Sequence, residues 1–294
     1  MMNKLLYLRL LPAFLLLFLP GTLKNAGAQG IDINAKNIKG IYMGFNISPV
    51  KTSVVNKGTG SLTKAESSPA TSISALLEIG YSISPNLGFS SGAGFIIYSS
   101  TIDLLTYTTS YDTTDSENEA YKRHIDGNGI SETQKITFLT IPFIMNISVP
   151  VTEKFGFYIR PGLNMLLHLN SAYDNSGTFN YSGYYPKYNV TISDVPFEGF
   201  EADAHNIGSG ELLISPLNFE LYAGAGAEFS LQRKLKLIFG VEYRKVLSSI
   251  TDYDVPASFK LTTKPGQMNS IMAGCEDVTA SAFGISLGIR YFIK

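Results

Sequence analysis

The sequence is poor in charge and nearly free of cysteine. Charged residues make up 16% of the 294-residue chain, below the roughly 25% usual for soluble globular domains. A net charge of −1 gives no electrostatic support for a nucleic-acid partner. Because Cys275 is the only cysteine, an intramolecular disulfide framework is excluded.

Long apolar runs are also missing beyond residue 30, where no stretch approaches the roughly 20 apolar residues of a transmembrane helix. The one strong run, Leu5 to Leu19, follows Lys4 and precedes the small residues Ala26-Gly27-Ala28. This order predicts a signal peptide over 1–28, cleaved after Ala28, and a short periplasmic segment over 29–38. The alternative, a membrane-anchoring helix, is disfavoured by the shortness of the run and by its prolines.

What the sequence does contain is alternation of apolar and polar residues. In the last segment, apolar side chains at every second position from Phe283 to Ile293 alternate with Gly284, Ser286, Gly288 and Arg290. A period of two, with many glycines and β-branched residues, predicts strands rather than helices. Each segment is about 10 residues, the length of a tilted strand that crosses a bilayer. The eight segments are 41–48, 73–83, 87–97, 139–148, 155–169, 217–229, 235–244 and 283–293.

The connections between these segments alternate in length. Ser84-Pro85-Asn86, 149–154 and 232–234 are short turns. The long polar connections are 49–70, 100–134, 170–215 and 248–280. Short turns at one end and long loops at the other are typical of outer-membrane barrels. The sequence therefore predicts an all-β fold over residues 39–294. We expect a single closed antiparallel up-and-down transmembrane β-barrel of eight strands, with four long extracellular loops and both termini on the short-turn side.

The polar face decides which side of the barrel wall meets lipid. It consists mostly of Gly, Ser, Asn and Thr, and four acids balance four bases, which suits a narrow lumen held by ion pairs. The predicted lumen ion-pair network is Glu78, Arg160, Glu220, Glu228, Lys236, Glu242, Arg244 and Arg290. The apolar face then meets lipid, with aromatic girdles formed by Tyr81, Phe155, Phe229, Tyr243, Phe283 and Tyr291. The opposite assignment gives a secreted, soluble, lipocalin-like ligand-binding barrel.

Four segments resemble outer-membrane β-barrel domain proteins of the PorT-like type, which are frequent in Bacteroidetes. They are Phe138-Leu139-Thr140-Ile141-Pro142-Phe143, Phe155-Gly156-Phe157-Tyr158-Ile159-Arg160-Pro161-Gly162, Tyr222-Ala223-Gly224-Ala225-Gly226 and Gly284-Ile285-Ser286-Leu287-Gly288-Ile289-Arg290-Tyr291. The resemblance extends over residues 38–294. It implies a bacterial outer-membrane location and an eight-stranded barrel, but no enzymatic residues. Some relatives assist protein secretion or gliding, and many have no assigned role.

Few residues of the sequence are candidates for catalysis or metal binding. His168, with Ser171 close by in sequence, is the basis of an alternative function, an outer-membrane lipid acyl hydrolase or transferase. The acidic run Asp112, Asp115, Glu117, Asn118 and Glu119 offers oxygen ligands but lacks the spacing of a calcium-binding loop. We therefore expect a non-enzymatic protein with no catalytic, cofactor-binding or metal-binding residues.

The connection at 170–215 is rich in aromatic residues, which serve as contact anchors or pack a loop against itself. Tyr181, Tyr184, Tyr185 and Tyr188 are the candidate contact residues. The leading functional hypothesis is an outer-membrane barrel that scaffolds the envelope or presents surface loops for binding. Its expected partners are outer-membrane lipid, envelope or secretion-system proteins, and surface glycans.

Overall fold

The computed structural model describes residues 40–58, 60–251 and 253–293, which form ten strands and three short 3-10 helices. The strands are β1 (Gly40–Gly58), β2 (Glu66–Ser82), β3 (Leu87–Thr114), β4 (Ala120–Pro150), β5 (Phe155–Tyr185), β6 (Val190–Ser193), β7 (Ala204–Gly210), β8 (Leu217–Gln232), β9 (Leu235–Val246) and β10 (Cys275–Phe292). The 3-10 helices are Gly60–Lys64, Pro196–Glu198 and Met272–Gly274. None of the helices in these ranges is long and apolar enough to cross a membrane. The predicted signal peptide (1–28) and periplasmic segment (29–38) lie outside the described residues.

Eight of the strands close into a ring. β1, β2, β3, β4, β5, β8, β9 and β10 pair in that order, and β10 pairs with β1 to complete the circle. Every pairing is antiparallel, and β6 and β7 both add to β5 outside the ring. The prediction of a single closed, eight-stranded antiparallel barrel is confirmed.

The register sets the width of the barrel. Followed once around the ring from Tyr42, the pairing returns to β1 at Thr52, a stagger of 10 residues. With about 4.8 Å between strands and about 3.3 Å per residue, this stagger gives a strand tilt of about 40° and a radius of about 8 Å. Such a lumen has room for side chains but not for a wide channel.

Short turns occupy one end of the barrel. In the β2–β3 turn, the Ser84 hydroxyl accepts the backbone N–H of Leu87 at 3.0 Å. In the β4–β5 turn, the Thr152 hydroxyl accepts that of Phe155 at 3.0 Å. These hydroxyls close the tight turns because they satisfy backbone donors that the strands leave unpaired. Tyr42 pairs with Phe292 at this same end, so both ends of the described wall lie on the short-turn side, as predicted.

The outer wall is apolar. Within the apolar belt, most outward positions of the wall strands carry exposed or half-buried aliphatic or aromatic side chains. Along β10 and the residue that follows it, they run from Phe283 to Ile293, a span of ten residue steps, or about 25 Å along the barrel axis at the tilt above. That height matches the lipid-facing band of a membrane-spanning barrel. The soluble lipocalin-like alternative is wrong, since it requires these side chains to point inward. Of the predicted girdle residues, Phe155 is half-buried and the others are exposed: Tyr81, Phe229, Tyr243, Phe283 and Tyr291.

The prediction of four long loops is largely wrong. Residues 100–114 and 120–134 continue β3 and β4, and residues 170–185 continue β5. β4 alone has 31 residues, whereas a membrane crossing needs only about 10. The three strands therefore rise far above the apolar belt as one sheet, which we call the extension. The ends of β1, β2 and β10 occupy 49–58, 66–70 and 275–280 in the same way.

The inward parity of the extension strands reverses where two successive residues both face outward. On β3, the inward residues up to Leu104 are even-numbered. Leu105 and Thr106 then both face outward, so the next inward residue is the odd-numbered Tyr107. Asn128 and Gly129 do the same on β4, and Gly129 adopts a φ of 60°, which glycine tolerates. On both sides of the reversal, inward aromatic and aliphatic residues build a second core with the 3-10 helix at 60–64, β7 and the β9–β10 connection. Its buried members are Leu62, Ile102, Leu104, Tyr107, Ile125, Ile130, Phe179, Tyr181, Ala204, Leu261, Met268 and Ile271.

Candidate functional site

The part of the lumen nearest the short turns holds one carboxylate between two guanidinium groups. Glu78 on β2 accepts hydrogen bonds from Arg160 on β5 and, at 3.2 Å, from Nε of Arg290 on β10. Asn46 and Ser90 donate to the same carboxylate at 3.4 and 3.2 Å. All of these side chains are buried. With two arginines and one glutamate, this lower group carries an excess of positive charge.

The next layer of the lumen has the opposite balance. Arg244 on β9 contacts Glu242 at 3.0 Å and Glu220 on β8 at 3.7 Å. The hydroxyl of Tyr98 and the amide of Asn164, at 2.6 Å, both donate to Glu220. Two glutamates share one arginine, so this upper group carries an excess of negative charge.

The Tyr222 ring joins the two groups. The guanidinium of Arg160 lies 6.0 Å from the ring centroid, and that of Arg244 lies 5.3 Å from it. Cations over an aromatic face are attracted by the ring quadrupole, more strongly where water is excluded. A separate pair, Lys236 with Glu228 at 2.8 Å, lies at the short-turn end. The structure thus places all eight residues of the predicted ion-pair network in the lumen, in three groups.

The uncharged partners of these ions were not among the predicted lumen residues. Tyr42, Tyr98 and Tyr222 occupy inward positions and contact Arg290, Glu220 and the arginines described above. The sequence could have revealed them, because each is an aromatic residue at an inward-facing position, and most other inward-facing positions carry glycine or polar residues. Small residues remain necessary beside them. A side chain at Gly240 would collide with the Tyr158 hydroxyl.

Above the ion pairs, apolar side chains fill the lumen. Ile96, Phe138 and Leu166 point inward from β3, β4 and β5, and Ile250 and Met272 descend from the β9–β10 connection. All five are fully buried or nearly so. Close packing at this level leaves the barrel closed along its axis.

A buried carboxylate anchors the β9–β10 connection to the extension. Glu132 on β4 is fully buried and accepts the backbone N–H of Ile271 at 2.6 Å. Gln134, Asn175 and Ser270 also donate to it, at 2.7, 3.0 and 3.0 Å. Within the described residues, Glu132 forms no ion pair, so hydrogen-bond donors alone stabilise its carboxylate. This residue was not predicted, because it lies in a segment that the sequence indicates as a polar loop.

The predicted tyrosine contacts divide into two classes. Tyr181 and Tyr185 are wrong as contact residues, because parity in the extension turns them inward, where both are buried. Tyr184 is half-buried and donates to Asn189 at 3.0 Å. Tyr188 is 56% exposed and remains open to a partner.

Phe197 was not among the predicted contact residues, yet it is the most exposed aromatic residue of the extension at 86%. It lies in the 3-10 helix Pro196–Glu198, whose following residue, Gly199, adopts a left-handed conformation. Arg123 holds this turn from below, because its guanidinium donates to the Gly199 carbonyl and lies 5.4 Å from the Phe200 ring centroid. The turn therefore presents Phe197 in a fixed position.

The acidic run at the β3–β4 tip is engaged with the β5–β6 hairpin. The carboxylate of Asp115 accepts the backbone N–H of Glu119 at 2.9 Å and the hydroxyl of Tyr185 at 3.1 Å. Glu119 pairs with Lys187 and accepts the Tyr188 hydroxyl at 2.9 Å. In the part of the chain that the structure describes, no group of three or more acidic, histidine or cysteine side chains forms a metal site. These carboxylates join two hairpins.

This joint is expected to weaken in acid. The backbone N–H of Glu119 lowers the pKa of Asp115, and the Lys187 ammonium lowers the pKa of Glu119. A depressed carboxyl pKa stabilises the folded form above the unfolded pKa, near 4, and this contribution is lost as the pH falls through the folded pKa. We expect amide hydrogen exchange at 113–120 and 184–189, corrected for intrinsic rates, to be faster at pH 3 than at pH 6.

The β2–β3 turn at 83–87 is the internal control for this experiment. Its closing contact is the Ser84 hydroxyl, which does not titrate in this range. Its corrected exchange should be the same at both pH values. Equal acceleration of both sites would indicate general loosening rather than loss of the tip carboxylates.

The structure does not bring His168 and Ser171, the residues of the alternative hydrolase function, into contact. The His168 ring packs against Phe138, with centroids 6.0 Å apart. Within the described residues, His168 Nε2 has no hydrogen-bond partner, and the Ser171 hydroxyl donates to the Leu212 carbonyl at 2.8 Å. No nucleophile–base pair is formed between them.

Comparison with known proteins finds structural but not sequence similarity. No family model and no curated protein matches the chain. Among solved structures, it is similar to Neisserial surface protein A (12% identity, covering 86% of this chain and 97% of that one, TM-score 0.37). It is also similar to Ail of Yersinia pestis (12%, 86% and 99%, TM-score 0.29) and to OprG of Pseudomonas aeruginosa (12%, 86% and 96%, TM-score 0.32). At these scores, the similarities transfer no function or residue role to this chain.

Proposed function

We propose that the chain is a bacterial outer-membrane protein whose barrel holds a β-sheet extension on the cell surface as a binding platform, with no enzymatic activity of its own. The observation that carries this proposal is the continuous ladder of β3, β4 and β5. It runs from the apolar belt into the extension, and the β4–β5 register shifts only at 128–131 and 137–138. A closed sheet is the form in which a strand protein can cross lipid, because it leaves no edge unpaired.

The filled lumen supports binding rather than transport. Ion pairs occupy its lower part, and the apolar side chains around Phe138 occupy its upper part. A large part of the chain instead forms the extension, which has a hydrophobic core of its own. We propose that Tyr188 and Phe197, exposed at its far end, contact the partner, which we place among envelope proteins, secretion-system proteins and surface glycans. Membership of the PorT-like family remains part of this proposal.

Cysteine labelling tests the location and the orientation. Ser116 is exposed at the β3–β4 tip, and Glu153 is exposed in a short turn at the opposite end. In intact cells, a membrane-impermeant maleimide should label Ser116→Cys and leave Glu153→Cys unlabelled until the cells are permeabilised. The native Cys275 is buried and gives a low background.

Boiled and unboiled samples of each variant, compared by electrophoresis, check that the barrel has formed. Labelling of Glu153→Cys alone in intact cells would show that the orientation is the reverse of the proposed one and that the extension does not lie on the cell surface. Recovery of both variants in a soluble fraction, with no mobility shift, would refute a membrane barrel.

A further inference from the structure

Two lysines interrupt the apolar outer wall on the strands that flank β10. Lys51 on β1 and Lys245 on β9 point outward and are exposed. In the register, Lys51 lies beside Phe283, and Phe283 lies beside Tyr243. Lys245 lies beside Ser281, which precedes Phe283 by two residues on β10 and is therefore farther from the short turns. The lysines therefore stand at opposite corners of a small patch centred on β10.

The tilt of the strands brings both lysines to the same depth. Two strand spacings of about 4.8 Å and two residue rises of about 3.3 Å place their Cα atoms about 12 Å apart. Because the strands tilt by about 40°, residues paired across the sheet lie progressively farther from the short turns on going from β9 to β1. This displacement cancels the two-residue difference between the β10 partners of the two lysines. The diagonal from Lys51 to Lys245 thus runs nearly parallel to the membrane plane. It lies at the upper edge of the apolar belt, where lysine side chains reach the headgroups.

Neither lysine is neutralised by the protein. Within the described ranges, Lys51 and Lys245 form no ion pair, whereas Lys57, higher on the same face of β1, pairs with Asp277 at 2.8 Å. The surface between the two lysines consists of Phe283, Tyr243 and the two serines Ser53 and Ser281. It offers apolar support and hydroxyl groups but no carboxylate.

We propose that Lys51 and Lys245 form a binding site for the phosphate of an anionic lipid headgroup in the leaflet that borders the extension. The two ammonium groups converge on the phosphate from either side, and the Ser281 hydroxyl lies between them as a further donor. Phe283 and Tyr243, directly below, pack against the first methylenes of the acyl chains. This inference rests on the proposed membrane location and adds a lipid partner to it.

Native mass spectrometry of the exported chain tests the site. The protein is released from nanodiscs of equal parts phosphatidylglycerol and phosphatidylcholine, and the ratio of the two retained lipids is measured. Wild type should retain the anionic lipid preferentially. Because a lysine near the surface contributes about a fivefold preference for anionic lipid, Lys51→Gln and Lys245→Gln should each lower the ratio by about that factor, and the double variant by about 25-fold.

Lys135→Gln is the matched control. Lys135 also points outward, from β4, but the register places it about 10 Å farther from the short turns than Lys51. It should leave the ratio unchanged, and Lys51→Arg with Lys245→Arg should preserve it. All substitutions lie on the exposed face, and the mobility shift on boiling checks that each barrel is closed.

Each remaining outcome is decisive. An unchanged ratio in the double glutamine variant would overturn the lipid site while leaving the membrane barrel intact. A second contrary result would be displacement of the bound lipid by millimolar inorganic phosphate, with no preference for phosphatidylglycerol. It would mean that the lysines recognise phosphate alone, and it would overturn the lipid site. Failure of wild type to enter nanodiscs at all would refute the proposed location instead.

Discussion

Replacing Glu78 with glutamine should lower the free energy of unfolding by about 3–5 kcal/mol, the cost of removing one partner of a buried ion pair. Its carboxylate is the shared partner of Arg160 and Arg290. The substitution preserves shape but leaves two guanidinium groups in the lower lumen without a counter-charge. Equilibrium unfolding in urea, from lipid vesicles and followed by the mobility shift, gives the free energy.

Glu220→Gln is the matched comparison for this variant. Glu220 is equally buried, but its group contains a second carboxylate, Glu242, at 3.0 Å from Arg244. The amide oxygen of glutamine can still accept from Asn164. We expect a change of about 1 kcal/mol or less, the size of a single hydrogen bond. Equal losses in the two variants would contradict the unequal charge balance of the two lumen groups.

The second large effect concerns Glu132. Glutamine at this position presents an amide N–H₂ in place of one carboxylate oxygen, so at least one buried donor, the backbone N–H of Ile271 or the side-chain amide of Gln134, loses its acceptor. An unsatisfied buried donor costs about 1–3 kcal/mol. We expect local release of the β9–β10 connection at 266–274 while the barrel stays closed.

Cys275 reports this release directly. Burial, together with the nearby Glu132 carboxylate, raises the pKa of its thiol to about 12, so it is unreactive at pH 8 in the wild type. Once the connection opens, the thiol returns toward its ordinary pKa of about 8.5. Maleimide should then label Glu132→Gln about 30-fold faster than wild type, the factor that corresponds to about 2 kcal/mol.

Asp277→Asn controls for nearby changes of charge. Asp277 lies two residues from Cys275, but its partner is the exposed Lys57. Its loss should leave the labelling rate within about twofold of wild type, since exposed ion pairs contribute little. Slow labelling in both variants would show that Glu132 does not hold the connection.

The barrel wall could be predicted because each wall strand keeps one parity over the membrane. From Phe283 to Ile293, for example, no bulge interrupts β10, so the apolar face reads directly from the sequence. The charged lumen residues were found for the same reason. Arg290 and Glu242 are charges at the inward parity, and a buried charge requires a partner. Which acid meets which base depends on the barrel stagger, which the sequence does not display.

The extension escaped prediction because it breaks that parity. Two outward residues in succession at Leu105–Thr106, and again at Asn128–Gly129, interrupt the period of two. The segment 106–114 is rich in threonine and tyrosine, which favour strands, yet its polarity indicated a loop. Glu132 was missed because two of its donors, Ser270 and Ile271, lie more than a hundred positions away in the sequence. Phe197 was missed because composition alone does not distinguish a packed aromatic residue from a displayed one.

The closed ring also dictates how the chain must assemble. Most wall strands pair with a neighbour in sequence, whereas the seam between β1 and β10 joins residues as distant as Tyr42 and Phe292. Contacts between such distant residues form slowly, because the entropy of closing the intervening chain must be lost first. Until the seam forms, β1 and β10 expose unpaired backbone groups that lipid cannot satisfy. Insertion and closure must therefore proceed together, with the first and last strands meeting in the final step.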